Sequence, residues 1–562
     1  MSALAQLIAT ADAVLARREA VEPALALGCG APVRGLATLD PERLHADAAF
    51  FDRARMRLAA LRAEELSAEQ ESFRLALVND LGHRAEGAAF RHLDFVVAPY
   101  TGGDLHAEAQ QALSAHPLST AAEAEAYVDL VRDYARLARE MLAHTARQQA
   151  QGIHPSAPAL PAARAVLQSV IRSVPVVATP DESRLALLVP ATRHRLLDAL
   201  AAAVQGDLLP PLRQLLDLLG EDCARRAPAG VGLHQYADGE ACYRHLARRH
   251  TDSTLDPQAI HRIGLDVLDR LDGEKAVLRR QLMPFMSADD FDRFVQTDSR
   301  WRATNPADIE ARFVAHVQRV EPLLPQWFGR LPTTPWAVTR ADPAIEAGMT
   351  FGYFQRATPA DPVGRYRYNG SDPGSRSLIG AADLICHELV PGHHLQLSLQ
   401  DQAPVVHPLQ RFLFSTATIE GWAVYASGLA CEMGAITGFD LYGHAQMQSF
   451  MAARLVVDTG LNALGWTLEQ ARAFMQSRTI ESPSVIDSEL LRYSTDIPAQ
   501  ALAYELGHID IERLRQDAHE GLGAAFDVRG FHDALLVNGG YPLPVLHRQI
   551  GRWMAAMKDT AP

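Results

Sequence analysis

Apolar residues recur three or four apart through Ala121–Ala150, 184–219, Pro257–Leu282 and 307–323, stretches rich in Ala, Leu, Arg and Glu. That spacing gathers one buried stripe on a helix. Two start signals stand out, Thr254-Leu255-Asp256-Pro257 and Ser287-Ala288-Asp289-Asp290, each offering a capping side chain ahead of a helical run. Strand-like runs are few: 174–178, Trp336–Arg340 and 364–369, the last alternating as Arg365-Tyr366-Arg367-Tyr368. The pattern predicts a mainly α protein with a small antiparallel β element, without internal repeats or long low-complexity tracts.

Length changes this picture by adding a division. A single core stops growing at roughly 250–300 residues, and the chain has 562, so two lobes with a cleft are expected. Pro and Gly cluster at 227–232, placing the boundary near residue 230. An N-terminal helical lobe, 1–230, then precedes a catalytic helical lobe, 231–562, that carries every strong motif, the two forming one integrated catalytic unit.

Composition narrows the function classes. A formal charge of −14 argues against nucleic acid, whose binding needs clustered cations. Lys275 and Lys558 are the only lysines, which disfavours a Schiff-base enzyme. The five cysteines, Cys29, Cys223, Cys242, Cys386 and Cys431, form no CxxC pair, so neither a disulfide framework nor a thiolate zinc cluster is indicated. The first residues lack a signal-peptide pattern, and no apolar run approaches the ~20 residues of a membrane span. A soluble, cytoplasmic protein is the expectation.

The chemistry concentrates at His387-Glu388-Leu389-Val390-Pro391-Gly392-His393-His394. Zinc peptidases place two histidines at i and i+4 on a helix, with a glutamate after the first. Here i+4 from His387 is Pro391, so the simple pattern fails; removing Pro391-Gly392 restores it. Proline interrupts a helical ladder and glycine permits unusual backbone angles, so the insertion loops out and returns His393 to the vacant place. His394, at i+7, is the competing ligand, but a rise of 1.5 Å per residue carries it ~10 Å along an unbroken helix. One zinc ion held by His387 and His393, with Glu388 as base, follows. A third ligand is needed, and Glu420, within Ile419-Glu420-Gly421-Trp422-Ala423-Val424-Tyr425, is a candidate that spacing alone does not select.

These segments resemble the bacterial family catalogued as domain of unknown function 885. The likeness spans nearly the whole chain, through Tyr243–Thr251, Ile260–Leu265, His387–Gln396, Glu420–Tyr425, Arg454–Gly460 with Gly465-Trp466, and Arg492-Tyr493 with Pro498-Ala499-Gln500 and Tyr504. That family is held to be gluzincin-like and mostly helical. The resemblance implies a two-lobed metallopeptidase-like fold, His387, His393 and Glu420 as zinc ligands, and Glu388 as catalytic base. A more distant similarity to angiotensin-converting enzyme and related helical peptidases rests on Glu420-Gly421-Trp422 and Arg492-Tyr493. It implies that Tyr493 stabilises the transition state. Relatives commonly carry His where this chain has Asn462, and often Glu where it has Ser427.

The expected activity is therefore a zinc-dependent hydrolase cleaving short peptides. A zinc amidohydrolase or esterase on a non-peptide substrate, and a non-catalytic binding protein with a vestigial site, are the alternatives. Further expected contacts are Tyr368 and Asn369 on a strand beside the metal helix, Arg492, His394 and Tyr504 toward substrate, and Asp458 behind a ligand histidine. Beyond that peptide, amide or ester substrate, no nucleic-acid or membrane partner is expected.

Overall fold

Helix starts read from the sequence are used as caps. The Asp256 carboxylate accepts the N–H of Ala259 at 2.7 Å and the Ser287 hydroxyl accepts that of Asp290 at 3.1 Å, each satisfying a donor the first helical turn leaves open. The computed structural model describes residues 2–346, 351–358, 361–374, 377–537 and 539–560. The fold is mainly α with one small sheet, and no described helix is long and apolar enough to cross a membrane.

The chain forms two compact units. The boundary expected near residue 230 falls at His245, and the first unit, Met1–His245, also takes in His407–Phe412 and Ser494–Pro498. Its helices include α1 (Pro41–Ala59), α2 (Ala68–Gly87), α3 (Ala121–Ala150), α4 (Leu160–Val177) and the first part of α5 (Gly239–Thr251). Tyr127, Val131, Tyr134 and Ala138 of α3 lie in its core. The strand expected at 174–178 is instead the end of α4. Leu167, Val170 and Val174 are buried there at helical spacing, so packing overrides the β preference of the valines. The helix expected over 184–219 is divided into shorter pieces, with Pro190 opening one of them.

The second unit contains α6 (Pro257–Leu282), α7 (Pro306–Val320), β1 (Trp336–Arg340), β2 (Gly352–Gln355) and β3 (Gly364–Tyr368). These are followed by α8 (Ala381–Glu388), α9 (His393–Gln402), α10 (Thr416–Glu432), α11 (Phe439–Ala463) and α12 (Leu502–Leu522). The sheet order is β1-β3-β2. β3 pairs parallel with β1, Val338 opposite Tyr366, and antiparallel with β2, Phe354 opposite Tyr366. The sheet is thus mixed, not antiparallel throughout, and β3 has both backbone edges taken. The edge strand β2 has no counterpart in the sequence reading.

α10 and α12 cross at glycine. A Cβ at Gly421 would lie 2.3 Å from the Gly507 carbonyl carbon, and one at Gly507 would lie 2.0 Å from the Ala417 oxygen. Backbone meets backbone, closer than any side chain allows. Trp422, fully buried beside this crossing, donates its indole N–H to the Pro391 carbonyl at 3.1 Å. We expect Gly507→Ala to force α10 and α12 apart, costing ~1–3 kcal/mol or more; a denaturant midpoint unchanged from wild type would contradict this packing.

Candidate metal centre

The Pro391-Gly392 insertion does what the sequence required of it. α8 ends at Glu388, and α9 begins at His393. Between them the Gly392 N–H donates to the Cys386 carbonyl at 2.9 Å. A Cβ on Gly392 would stand 1.8 Å from the His387 carbonyl oxygen, so only glycine permits so close a return. The rings of His387 and His393 then face each other edge to face, centroids 4.8 Å apart.

Glu420 completes the triangle from α10. Its Oε2 lies 3.5 Å from His387 Nε2 and 3.4 Å from His393 Nε2, and one donor atom from each residue falls within 4.8 Å of the others. A tetrahedral zinc with ligand bonds of about 2.0–2.1 Å sets its donors about 3.3–3.4 Å apart. Two imidazoles and one carboxylate in this arrangement fit zinc and leave one coordination position open. Burial pushes the Glu420 carboxyl up, but the two histidines outweigh it and hold the group well below the usual carboxylate range. Burial likewise lowers His393, and Glu420 outweighs it to raise the ring above its ordinary value.

Glu388 is buried beside these ligands. Burial raises its carboxyl, an effect partly offset by His393 and His387. The backbone N–H of Phe354, on the edge strand β2, reaches the same carboxylate. The Phe354 ring also lies 6.5 Å from that of His393, so β2, rather than the β3 that its alternating pattern suggests, runs past the centre.

The remaining expected residues divide sharply. His394 is no competitor for the ligand position: its Nε2 donates to the Thr334 carbonyl at 3.0 Å, and burial lowers the ring to about 4. Tyr368 turns its hydroxyl away to the Pro306 carbonyl and Glu310, at 3.0 and 3.3 Å. Asn369 donates to the Glu346 carbonyl at 3.0 Å. As β3 is central, it has no free backbone edge to offer; β2 is the edge strand beside Glu388, and Tyr368 and Asn369 line a neighbouring cavity.

Tyr493 is fully buried, donates to Glu489 and receives the Arg454 Nε–H at 2.8 Å. The tyrosine that flanks the ligands is Tyr504, whose ring stacks on His387 at 6.2 Å and 14°. Burial, with Glu420 next, raises its phenol above the ordinary value. Arg492 donates to the Gln500 side chain at 2.6 Å. Asp458 accepts the Ala499 N–H with both oxygens, at 3.1 and 3.0 Å, where Ala499 takes a φ of +68°. It thereby anchors the turn that leads into α12. Asn462 donates to the Tyr493 carbonyl at 2.9 Å and to that of Asp458 at 3.0 Å, so it ties elements together behind the site. Ser427 is buried in α10 and bonds the Val424 carbonyl at 2.9 Å.

Arg454 escaped the sequence reading as a functional residue. Its guanidinium lies 4.6 Å from the Tyr504 ring and 6.0 Å from that of Tyr493, and pairs with Glu489 at 3.0 Å. A cation–π contact of this kind fixes ring orientation. The signal was its position at the head of Arg454–Gly460, a segment used only for resemblance.

The family model of bacterial proteins of unknown function, DUF885, matches residues 23–550. Among solved structures, a Colwellia psychrerythraea protein provisionally named a lipoprotein is similar at a TM-score of 0.85 and 23% identity, over 99% of this chain and 100% of that one. A Shewanella oneidensis protein of unknown function, also provisionally named a lipoprotein, is similar at 0.73 and 17%, over 98% and 99%. At such identities the likeness is one of fold. No curated protein matches this chain.

The geometry separates two adjacent histidines. His393→Ala should weaken zinc binding by more than the 10–100-fold typical of an outer partner, whereas His394→Ala should keep the metal and lose thermal stability. Equilibrium dialysis with metal analysis distinguishes them; the reverse outcome would exchange their roles.

Proposed function

This chain belongs to the bacterial family DUF885, and we propose that it is a zinc-dependent hydrolase, a metallopeptidase acting on short peptides. The observation that carries the reading is the convergence of His387 Nε2 and His393 Nε2 on Glu420 Oε2, at 3.5 and 3.4 Å, with buried Glu388 next to them. A purely structural zinc has no use for that extra carboxylate. When bound there, zinc supplies a Lewis acid and acidifies a water in its open position.

The chain's own groups do the rest. Glu388, its carboxyl raised by burial, takes the proton of the attacking water and delivers it to the leaving amine. A base tuned toward neutrality serves both transfers. Tyr504, stacked on His387, donates a hydrogen bond to the oxygen on which negative charge develops. Tyr493 acts one layer out: with Glu489 it holds Arg454, and Arg454 holds the Tyr504 ring. An extended peptide lies along β2, whose outer edge is next to Glu388, and backbone pairing provides affinity with little side-chain selectivity.

Glu388→Ala should retain zinc while hydrolysis falls by about 10²–10⁴; undiminished turnover by that variant would defeat the mechanism. Tyr504→Phe should lower kcat by about 10²–10³ with zinc content unchanged. A mixed library of short peptides and acyl esters tests the substrate class. Turnover of esters alone would reject the peptidase assignment and leave the metal chemistry standing.

A further inference from the structure

Among the described residues a second cluster meets the same donor requirement, and it lies wholly in the first unit. His83, Glu86 and His245 each offer one ligand atom, and these atoms lie within 4.8 Å of one another. His83 and Glu86 stand at i and i+3 on α2, on one helix face. His245 comes from α5, in the segment Tyr243–Thr251 for which the hydrolytic site has no use.

Local packing aims the histidine at the other two. His245 is 2% exposed, its Nδ1 is 3.3 Å from the Glu86 carboxylate, and its ring lies between Phe90 and His83, at 5.4 and 5.9 Å between centroids. A Cβ at Gly87 would stand 3.1 Å from His245 Nε2, so the small residue there leaves room for the ring. His83 and Glu86 also line a groove of about 720 Å³ alongside α1, with His45 and Asp52. That groove provides an entry path and water for the remaining coordination positions.

We infer that His83, Glu86 and His245 form a second binding site for a divalent transition metal, zinc being the ion suited to two imidazoles and one carboxylate. The site joins α2 to α5 and takes no part in hydrolysis. The His83 ring nitrogen lies within the same sphere as the His245–Glu86 pair. The inference does not depend on the proposed peptidase activity.

The test uses the full chain, stripped with chelator and reloaded with zinc alone. Wild type should bind two ions per chain, the double variant His83→Gln/Glu86→Gln one, and His393→Ala one. The double variant changes partly exposed side chains and should keep peptide turnover. In the His393→Ala background zinc should raise the thermal midpoint, and adding His83→Gln/Glu86→Gln should abolish the rise. Wild type binding one ion that the double variant retains would overturn the inference. One ion lost with the double variant and indifferent to His393→Ala would support it and overturn the zinc assignment at Glu420 instead.

Discussion

The centre depends on one backbone contact, the approach of Gly392 to the carbonyl of His387. The histidines are separated by six positions, too many for one helical turn and too few for a second one to bring them level. Ending α8 at Glu388 and restarting at His393 solves the spacing, provided nothing projects from residue 392 into the 1.8 Å that a Cβ would have to share. Trp422 completes the arrangement by taking up the Pro391 carbonyl, which a buried break would otherwise leave unsatisfied at a cost of about 1–3 kcal/mol. The same helix that supplies this indole supplies Glu420, so the break and the third donor are joined through α10.

A second layer governs the tyrosines. Arg454 is buried among Phe450, Tyr504, Tyr493 and Glu489, and its charge is balanced by Glu489, whose carboxyl burial raises but Arg454 and Arg492 pull below its ordinary value. Asp458 fixes the positive-φ turn at Ala499, three residues before α12 begins at Leu502. The Arg454–Gly460 segment thus holds one tyrosine by its ring and the start of that tyrosine's helix by its backbone.

Much of this was legible in the sequence because it is local. Helical periodicity marked α3 and α6, alternation marked β3, and the surplus Pro391-Gly392 predicted a looped-out break. What escaped was decided by partners distant along the chain. β2 is four residues, Gly352-Tyr353-Phe354-Gln355, too short for a pattern to show, and it exists because β3 offers an edge. Tyr493 and Tyr504 are indistinguishable by spacing; only the placement of Arg454 and His387 tells which is committed elsewhere. Helix rise alone sets His394 aside as a ligand, but what holds it, Thr334 sixty residues upstream, is not legible from spacing. His83 and His245 are too far apart in sequence for any local motif.

The glycine crossing of α10 and α12 also bears on how far the donor triangle can move. Side chains adjust by changing rotamer, but two backbones in contact have no rotamers to change. Glu420 and Tyr504 ride on helices locked at Gly421 and Gly507, and His387 and His393 on a turn locked at Gly392. The backbone supports of the donor triangle are therefore spaced by main-chain thickness. The rotamers of its own side chains are the freedom left to it.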